Sequence, residues 1–348
     1  MHLPRLSFFN SLFQYYKKGR SKLSQTVKRN QKSLHPTLFA LLVLMVTALI
    51  GCTARAAAPA ATQISRTPIV GEISEVGSTS VSSTDGMTMV YIPAGEFSMG
   101  SVVGLTDEQP VHIVGLDAFW LDKTEVTNAM YGQCMQAGKC DEPNVLGSYE
   151  DQKDSLPYFE DPAFKDHPVA FVSWRDAKNY CTWAGRRLPT EAEWEKAARW
   201  DPISSQQRTY PWGNDFSCKL GNFDDETLLD ASIMPDTDPN CDGFSRSSPV
   251  GSFPEGVSPY GALDMGGNVW EWVNDAFIET DPFTNTVNYY EVSPAFNPPG
   301  VDPAISEYRV MRGGSWNLTF GFGRAAYRLW YGLDDTYDGA GFRCAVSE

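Results

Sequence analysis

The apolar positions of this chain fall into three regimes. From Leu38 to Ile50 they follow one another with no charge between them, "LFALLVLMVTALI". That length suits the hydrophobic centre of a secretory signal and falls short of the roughly 20 residues a membrane-spanning helix needs. From Thr53 to about Asp85 large apolar residues are sparse, aromatics are absent and Ala, Ser, Thr and Pro dominate. Such a composition buries too little surface to order itself and reads as a tether. From Gly86 onward apolar residues are dense and no second linker intervenes, so residues 86–348 read as one domain.

Within that domain the spacing predicts three short helices. In "TNAMYGQCMQAG" Thr127 caps, Gly138 terminates, and Met130, Cys134 and Ala137 share a face. In "SWRDAKNYCTWAG" Ser173 caps, Gly185 stops the helix, and Ala177, Tyr180, Cys181 and Ala184 recur at helical spacing. In "TEAEWEKAAR" Thr190 and Glu193 stand three apart, as a reciprocal capping box requires. Strand-like runs are short and scattered: "MTMVYIPAG", "AFWLDKTEV" and "YRVMRGG". With 29 Gly and 23 Pro, much of the remainder must be loop held by specific contacts.

Charge changes the picture at the amino end. Residues 1–51 hold eight basic side chains and no acidic one, which leaves the rest of the chain at a net −23. That field repels polyphosphates, so nucleic acid is excluded as an expected partner, and it attracts calcium. The run "LIGC" resembles a bacterial lipobox, in which Cys52 becomes the lipidated amino terminus after cleavage. Residues 1–51 are then the signal and 52–85 the lipidated tether, whereas the other reading is an uncleaved anchor with an incidental cysteine. Both place the acidic body outside the cytoplasm, on a membrane of a bacterial cell envelope.

Setting Cys52 aside leaves six cysteines, an even number that favours a disulfide framework in an exported chain and allows 15 pairings. Cys134 and Cys140 flank a helix end, and Cys218 and Cys241 bracket an acidic loop. That leaves Cys181 and Cys344 to clamp the C-terminal segment to the core. A reactive or metal-binding thiol among them lacks any C-x-x-C or clustered histidine to support it.

A series of segments is specific enough to carry a resemblance: "MVYIPAGEFSMGS", "EQPVHIVGLDAFWLDKTEVTNAMYGQC", "HPVAFVSWRDAKNYCTWAGRRLPTEAEWEKAAR", "YPWGND", "SPYGALDMGGNVWEW", "RVMRGGSWN" and "GFRCA". In this order they resemble the formylglycine-generating sulfatase-modifying factor family, over about residues 86–348. The resemblance implies an α+β domain of C-type-lectin-like fold, low in regular structure, with antiparallel sheets and short flanking helices. It also supports pairing Cys181 with Cys344.

Oxidases of that family hold copper(I) on two cysteines, five apart, just after the "GGS" turn; soft thiolates are what copper(I) requires. Placing Ser315 on the family serine puts Leu318 and Gly323 where the cysteines would stand, so copper is not expected. An iron centre would need clustered imidazoles, and downstream of the signal only His112 and His167 remain, both in framework-like stretches. A Ser-His-Asp triad on Ser315 has no elbow motif around it.

Two calcium sites follow from the resemblance, since calcium takes six to eight hard oxygens from irregular loops. One would draw on Asn222, the Phe223 carbonyl, Asp242 and the Phe244 carbonyl. The other would draw on backbone oxygens of Gly266, Gly267 and Val269 with the Glu271 carboxylate. The rival reading is a set of Asx turns and a satisfied buried glutamate. Trp272, Ser315, Trp316, Arg324 and Arg328 fall in the family's pocket-forming segments and are the expected ligand pocket, with Tyr327, Trp330 and Tyr331 nearby; packing competes for the aromatics. The expected function is therefore a non-catalytic binding or scaffolding module on an envelope lipoprotein, with an envelope peptide, protein or glycan as ligand. The alternative is an oxygen-dependent oxidase of the same family.

Overall fold

The computed structural model describes residues 75–144, 159–223, 241–278, 288–301 and 304–348, all within the compact unit Val70–Glu348. The signal segment, Cys52 and most of the acidic loop between Cys218 and Cys241 lie outside the described residues. The fold is α+β, built on two four-stranded sheets. In the first, β1 (Thr79–Val81), β2 (Thr88–Ile92), β5 (Phe119–Asp122) and β12 (Ala345–Ser347) pair antiparallel in that order. In the second, β10 (Leu329–Gly332), β9 (Tyr308–Arg312) and β8 (Trp270–Ala276) are antiparallel and β11 (Ala340–Gly341) joins β8 in parallel. Two small hairpins complete the strands: β3 (Gly95–Met99) with β4 (His112–Leu116), and β6 (Trp200–Asp201) with β7 (Gln206–Gln207).

The three expected helices form where their caps place them: α1 (Asn128–Gln136), α2 (Trp174–Trp183) and α3 (Glu191–Arg199). A fourth helical turn, α4, spans Tyr289–Val292. Thr127 Oγ1 accepts the Met130 N–H, and Gly138 and Gly185 take the positive φ that ends α1 and α2. The buried face of α1 differs from the expected one. It is set by Tyr131 and Cys134, while Met130 is half-buried and Ala137 exposed, because Tyr131 stacks on Tyr180 of α2. All four apolar positions expected on α2 are buried.

Helix α3 is buried at all nine positions, charged ones included, and its polar groups are matched individually. Glu193 closes the capping box with Thr190 and takes the Arg187 fork. Lys196 donates to the carbonyls of Pro93 and Gly95, and Glu195 accepts the Gly100 N–H and pairs with Arg312. A charge in such a place costs several kcal/mol unless paired, which is why each has a partner. The helix thereby pins β3 and β9 to one core that contains Trp194, Phe97, Phe119 and Val273. A second core gathers Tyr131, Tyr180, Trp270, Trp272 and Phe342 around the Cys181–Cys344 bridge.

All three expected disulfides are present: Cys134–Cys140, Cys181–Cys344 and Cys218–Cys241. The start of the domain differs from the composition boundary at Gly86. β1 already pairs with β2, and Asp85 is buried, accepting from Tyr180 Oη at 2.7 Å and from Arg186. A polar strand on a sheet edge carries little apolar signal, which is why the pattern missed it.

Candidate functional site

The site is the turn that follows β9. Gly313 and Gly314 both take positive φ, +100° and +86°, which side chains rarely adopt. The turn is packed tightly: a Cβ on Gly313 would stand 3.3 Å from the Trp194 ring, and one on Gly314 3.0 Å from the Gly323 Cα. It is bound to the loop before β8 by two backbone bonds, Gly267 N–H to Gly313 O and Trp316 N–H to Asn268 O, each 2.9 Å. Asn268 takes a φ of +64°, accepts the Ser248 N–H and donates to Glu125 Oε1.

The three arginines of "RGGSWNLTFGFGRAAYR" are each matched to a carboxylate of another element. Arg312 pairs with Glu195 and stands 3.3 Å from Glu191. Arg324 forks onto Glu108 at 2.7 and 2.6 Å, and Arg328 forks onto Glu191 at 2.6 and 2.8 Å. Glu191 is held below the ordinary carboxylate range despite its burial, by the charges of Arg328 and Arg312. Arg324 and Arg328, expected in the pocket, therefore act as structural ties. Trp272 is also part of the core: it is fully buried and donates to the Val172 carbonyl.

Ser315 and Trp316 remain at the site. Ser315 is fully buried and its Oγ has no hydrogen-bond partner among the described residues. Trp316 is half-buried, with the Arg246 guanidinium 5.9 Å from its ring centre and Asp338 O 3.4 Å from its Nε1. Burial raises the Asp338 carboxyl while the Arg246 charge opposes that rise. Arg246 and Asp338 are site residues that the sequence reading missed, because they lie far from Trp316 along the chain and carry no motif. Tyr327 packs edge-on against Phe322 and tilts toward Trp270, and Tyr331 rests on Tyr337, so these aromatics pack on one another.

The two positions that the resemblance singles out for copper ligands, Leu318 and Gly323, do not fit a metal. Leu318 packs against the second core. At Gly323 a Cβ would stand 2.3 Å from Phe223 Cε1 and 2.6 Å from its Cζ. The ring fills the space into which a side chain would project. Every cysteine among the described residues is in a disulfide, so no thiolate replaces the pair. The two histidines among the described residues lie apart. His112 faces Pro110 O, Ser293 and Tyr290, whereas His167 faces Ser247 and Phe164, its basicity lowered by burial.

The first calcium set fits a hard cation. Asn222 Oδ1 is buried without a partner among the described residues, although its amide nitrogen donates to Arg246 O. Asp242 receives the N–H groups of Phe223 and Phe244, which holds its carboxylate beside their chain. The second set does not fit through Glu271. Both its oxygens are taken by Arg343, at 2.6 and 2.7 Å, and Trp194 Nε1 adds a third donor at 2.8 Å. A divalent ion there would meet the guanidinium charge. Glu271 lies in β8, paired with Arg312, and not in the irregular loop expected for the Gly266–Val269 carbonyls.

With this geometry in place, the comparisons with known proteins decide the family. The description "Sulfatase-modifying factor enzyme 1-like domain" matches residues 75–348. The chain belongs to the sulfatase-modifying factor family. Among its relatives, a hercynine oxygenase of Mycolicibacterium smegmatis is 33% identical over 267 residues, covering 70% of this chain and 57% of that protein. The formylglycine-generating enzyme of Bos taurus is 34% identical over 296 residues, covering 74% of each. Among solved structures, PvdO from Pseudomonas aeruginosa is similar, with a TM-score of 0.59 at 26% identity, covering 79% of this chain and all of that one. The chain thus spans little more than half the length of the hercynine oxygenase. As a member of the sulfatase-modifying factor family, it carries the GGS turn, followed by Leu318 packed on the second core and by Gly323 closed off by the Phe223 ring.

Proposed function

We propose that this sulfatase-modifying factor domain is a non-catalytic binding or scaffolding module, held at a bacterial cell envelope by a lipid on Cys52. The observation that carries this reading is the Phe223 ring filling the side-chain space of Gly323. A soft metal ion needs sulfur ligands, and the site has none to offer. Its recognition surface is Trp316 with the Arg246 guanidinium over its ring and the Asp338 carbonyl at its indole N–H, an aromatic face with polar groups beside it, suited to an envelope peptide, protein or glycan. Calcium at Asn222 and Asp242 has a structural role, bracing the loop that presents Arg246.

The test is oxygen consumption by the copper-loaded full chain given a sulfatase peptide bearing its cysteine, alongside metal analysis of the native protein. Calcium without turnover supports the module. Turnover, or stoichiometric copper or iron, overturns it. A second reading, an oxygen-dependent oxidation of another kind, is favoured by two observations: the buried Ser315 Oγ at the site, without a partner among the described residues, and a relative named as an oxygenase.

A further inference from the structure

The three disulfides of this domain differ in what surrounds them. Cys181 and Cys344 are fully buried within the second core, and Cys134 is fully buried with Cys140 half-buried beyond the end of α1. Cys218 and Cys241 are both half-buried. Thiol–disulfide exchange needs an attacking thiolate to reach a sulfur, so access sets Cys218–Cys241 apart from a bridge enclosed in the core.

What this bridge holds is specific. It ties two arms, residues 218–223 and 241–246, neither of which belongs to a helix or strand. Asp242, next to Cys241, accepts the Phe223 N–H at 2.9 Å and the Phe244 N–H at 2.8 Å, and Asn222 Nδ2 donates to Arg246 O at 2.9 Å. The first arm ends in Phe223, whose ring is buried. A Cβ on Gly267 would stand 3.0 Å from the ring's Cζ and one on Gly323 2.6 Å from the same atom, so the ring is wedged between two loops. Both loops meet the GGS turn: Gly267 N–H donates to Gly313 O at 2.9 Å, and a Cβ on Gly314 would stand 3.0 Å from the Gly323 Cα. Bridge, wedge and turn thus form one series of contacts, while Cys181–Cys344 staples α2 to the C-terminal segment separately.

We propose that the Cys218–Cys241 bridge is a redox-sensitive latch on the Phe223 wedge: its reduction by a dithiol loosens the GGS turn while the two cores stay folded. A thiolate of the dithiol attacks one sulfur of the bridge, forms a mixed disulfide and releases the other. The second thiol of the reductant then displaces the protein sulfur and closes as the reductant's own disulfide, so two electrons and two protons pass to Cys218 and Cys241. Reduction returns to the arms the freedom that closing an interval of 23 positions had removed, and leaves them joined without a covalent tie. The latch acts on the turn itself and is independent of what the domain binds.

The experiment is a native titration of the oxidised full chain with dithiothreitol, read in two ways. Alkylation with iodoacetamide followed by peptide mass spectrometry reports which sulfurs open. Cys218 and Cys241 are expected to be labelled at a dithiothreitol concentration about tenfold or more below that needed for Cys181 and Cys344. Amide hydrogen exchange reports the turn: after reduction the Gly267 and Trp316 N–H groups are expected to exchange about tenfold faster or more, with the amides of α2 unchanged. C218S/C241S is expected to reproduce the fast exchange without reductant, and C134S/C140S to exchange as wild type does. Failure of Cys218–Cys241 to open before Cys181–Cys344, unchanged exchange at Gly267 and Trp316 once Cys218 and Cys241 are labelled, or loss of protection throughout the domain would each overturn the proposal. If C218S/C241S does not fold, the titration of the wild type still decides.

Discussion

The Phe223 ring and the Gly323 Cα are in mutual exclusion: no side chain on residue 323 has room while the ring keeps its place. Gly323→Ala is therefore expected to destabilise the domain by about 1–3 kcal/mol, the usual cost of overpacking. Phe223→Ala alone loses ring packing against Phe216 and Trp212. The double variant F223A/G323A is expected to be more stable than the sum of the two losses allows. Urea denaturation of the four proteins measures the coupling, and simple additivity would refute the exclusion.

Removing Arg343 leaves the Glu271 carboxylate buried without its counter-charge, with the neutral Trp194 indole N–H as a remaining donor. Arg343→Met is expected to cost about 3–5 kcal/mol, the range for a buried pair broken on one side. The joint change R343M/E271L is expected to recover a substantial part of that loss, measured as the shift in chemical denaturation midpoint.

Acid should stabilise this domain over a range where most proteins are indifferent. Burial, reinforced by the Glu191 charge, pushes the Asp275 carboxyl up to about 8, and burial raises Asp122 to about 7. In the unfolded chain both ionise near about 4. Between those limits the folded state holds protons that the unfolded state has released, so stability falls as pH rises from about 4.5 to about 8. Melting temperature is expected to be higher at pH 5.5 than at pH 8. Asp275→Asn, which can still accept the Glu191 N–H through its amide oxygen, should flatten that slope.

If Asn222 and Asp242 hold calcium, a chelator should lower the melting temperature of the wild type. A ligand present at a hundred times its dissociation constant contributes about 2.7 kcal/mol, several degrees for a domain of this size. Asn222→Ala is expected to abolish the response to chelator and to added calcium, read by scanning calorimetry. A wild-type melt indifferent to chelator would show that these residues only make turns.

Much of the scaffold was legible in the sequence, because caps and cysteines are local signals. Thr127, Ser173 and Thr190 mark the three helix starts, and the bracketing of the cysteines pointed to all three bridges. The charged interior was not legible. Glu191, Glu195 and Lys196 look like a solvated helix face, and only the arginines arriving from β9 and beyond show that the helix is internal. For the same reason Arg324 and Arg328 read as ligand-binding residues when their partners, Glu108 and Glu191, lie 216 and 137 positions away. Phe223 could not be connected to Gly323 from sequence at all, since the contact depends on how two loops are folded together.

The bond from the Cys344 N–H to Asp122 joins positions 222 apart, and β12 closes on β5 across an equally long stretch of chain. A nascent chain that has made β1, β2 and β5 must wait through most of the domain before the last strand of that sheet exists. Until then β5 shows an unpaired edge to its surroundings, the kind of surface on which growing chains stick to one another. Closure of that sheet is thus late, and pairing across so long an interval is expected to slow folding.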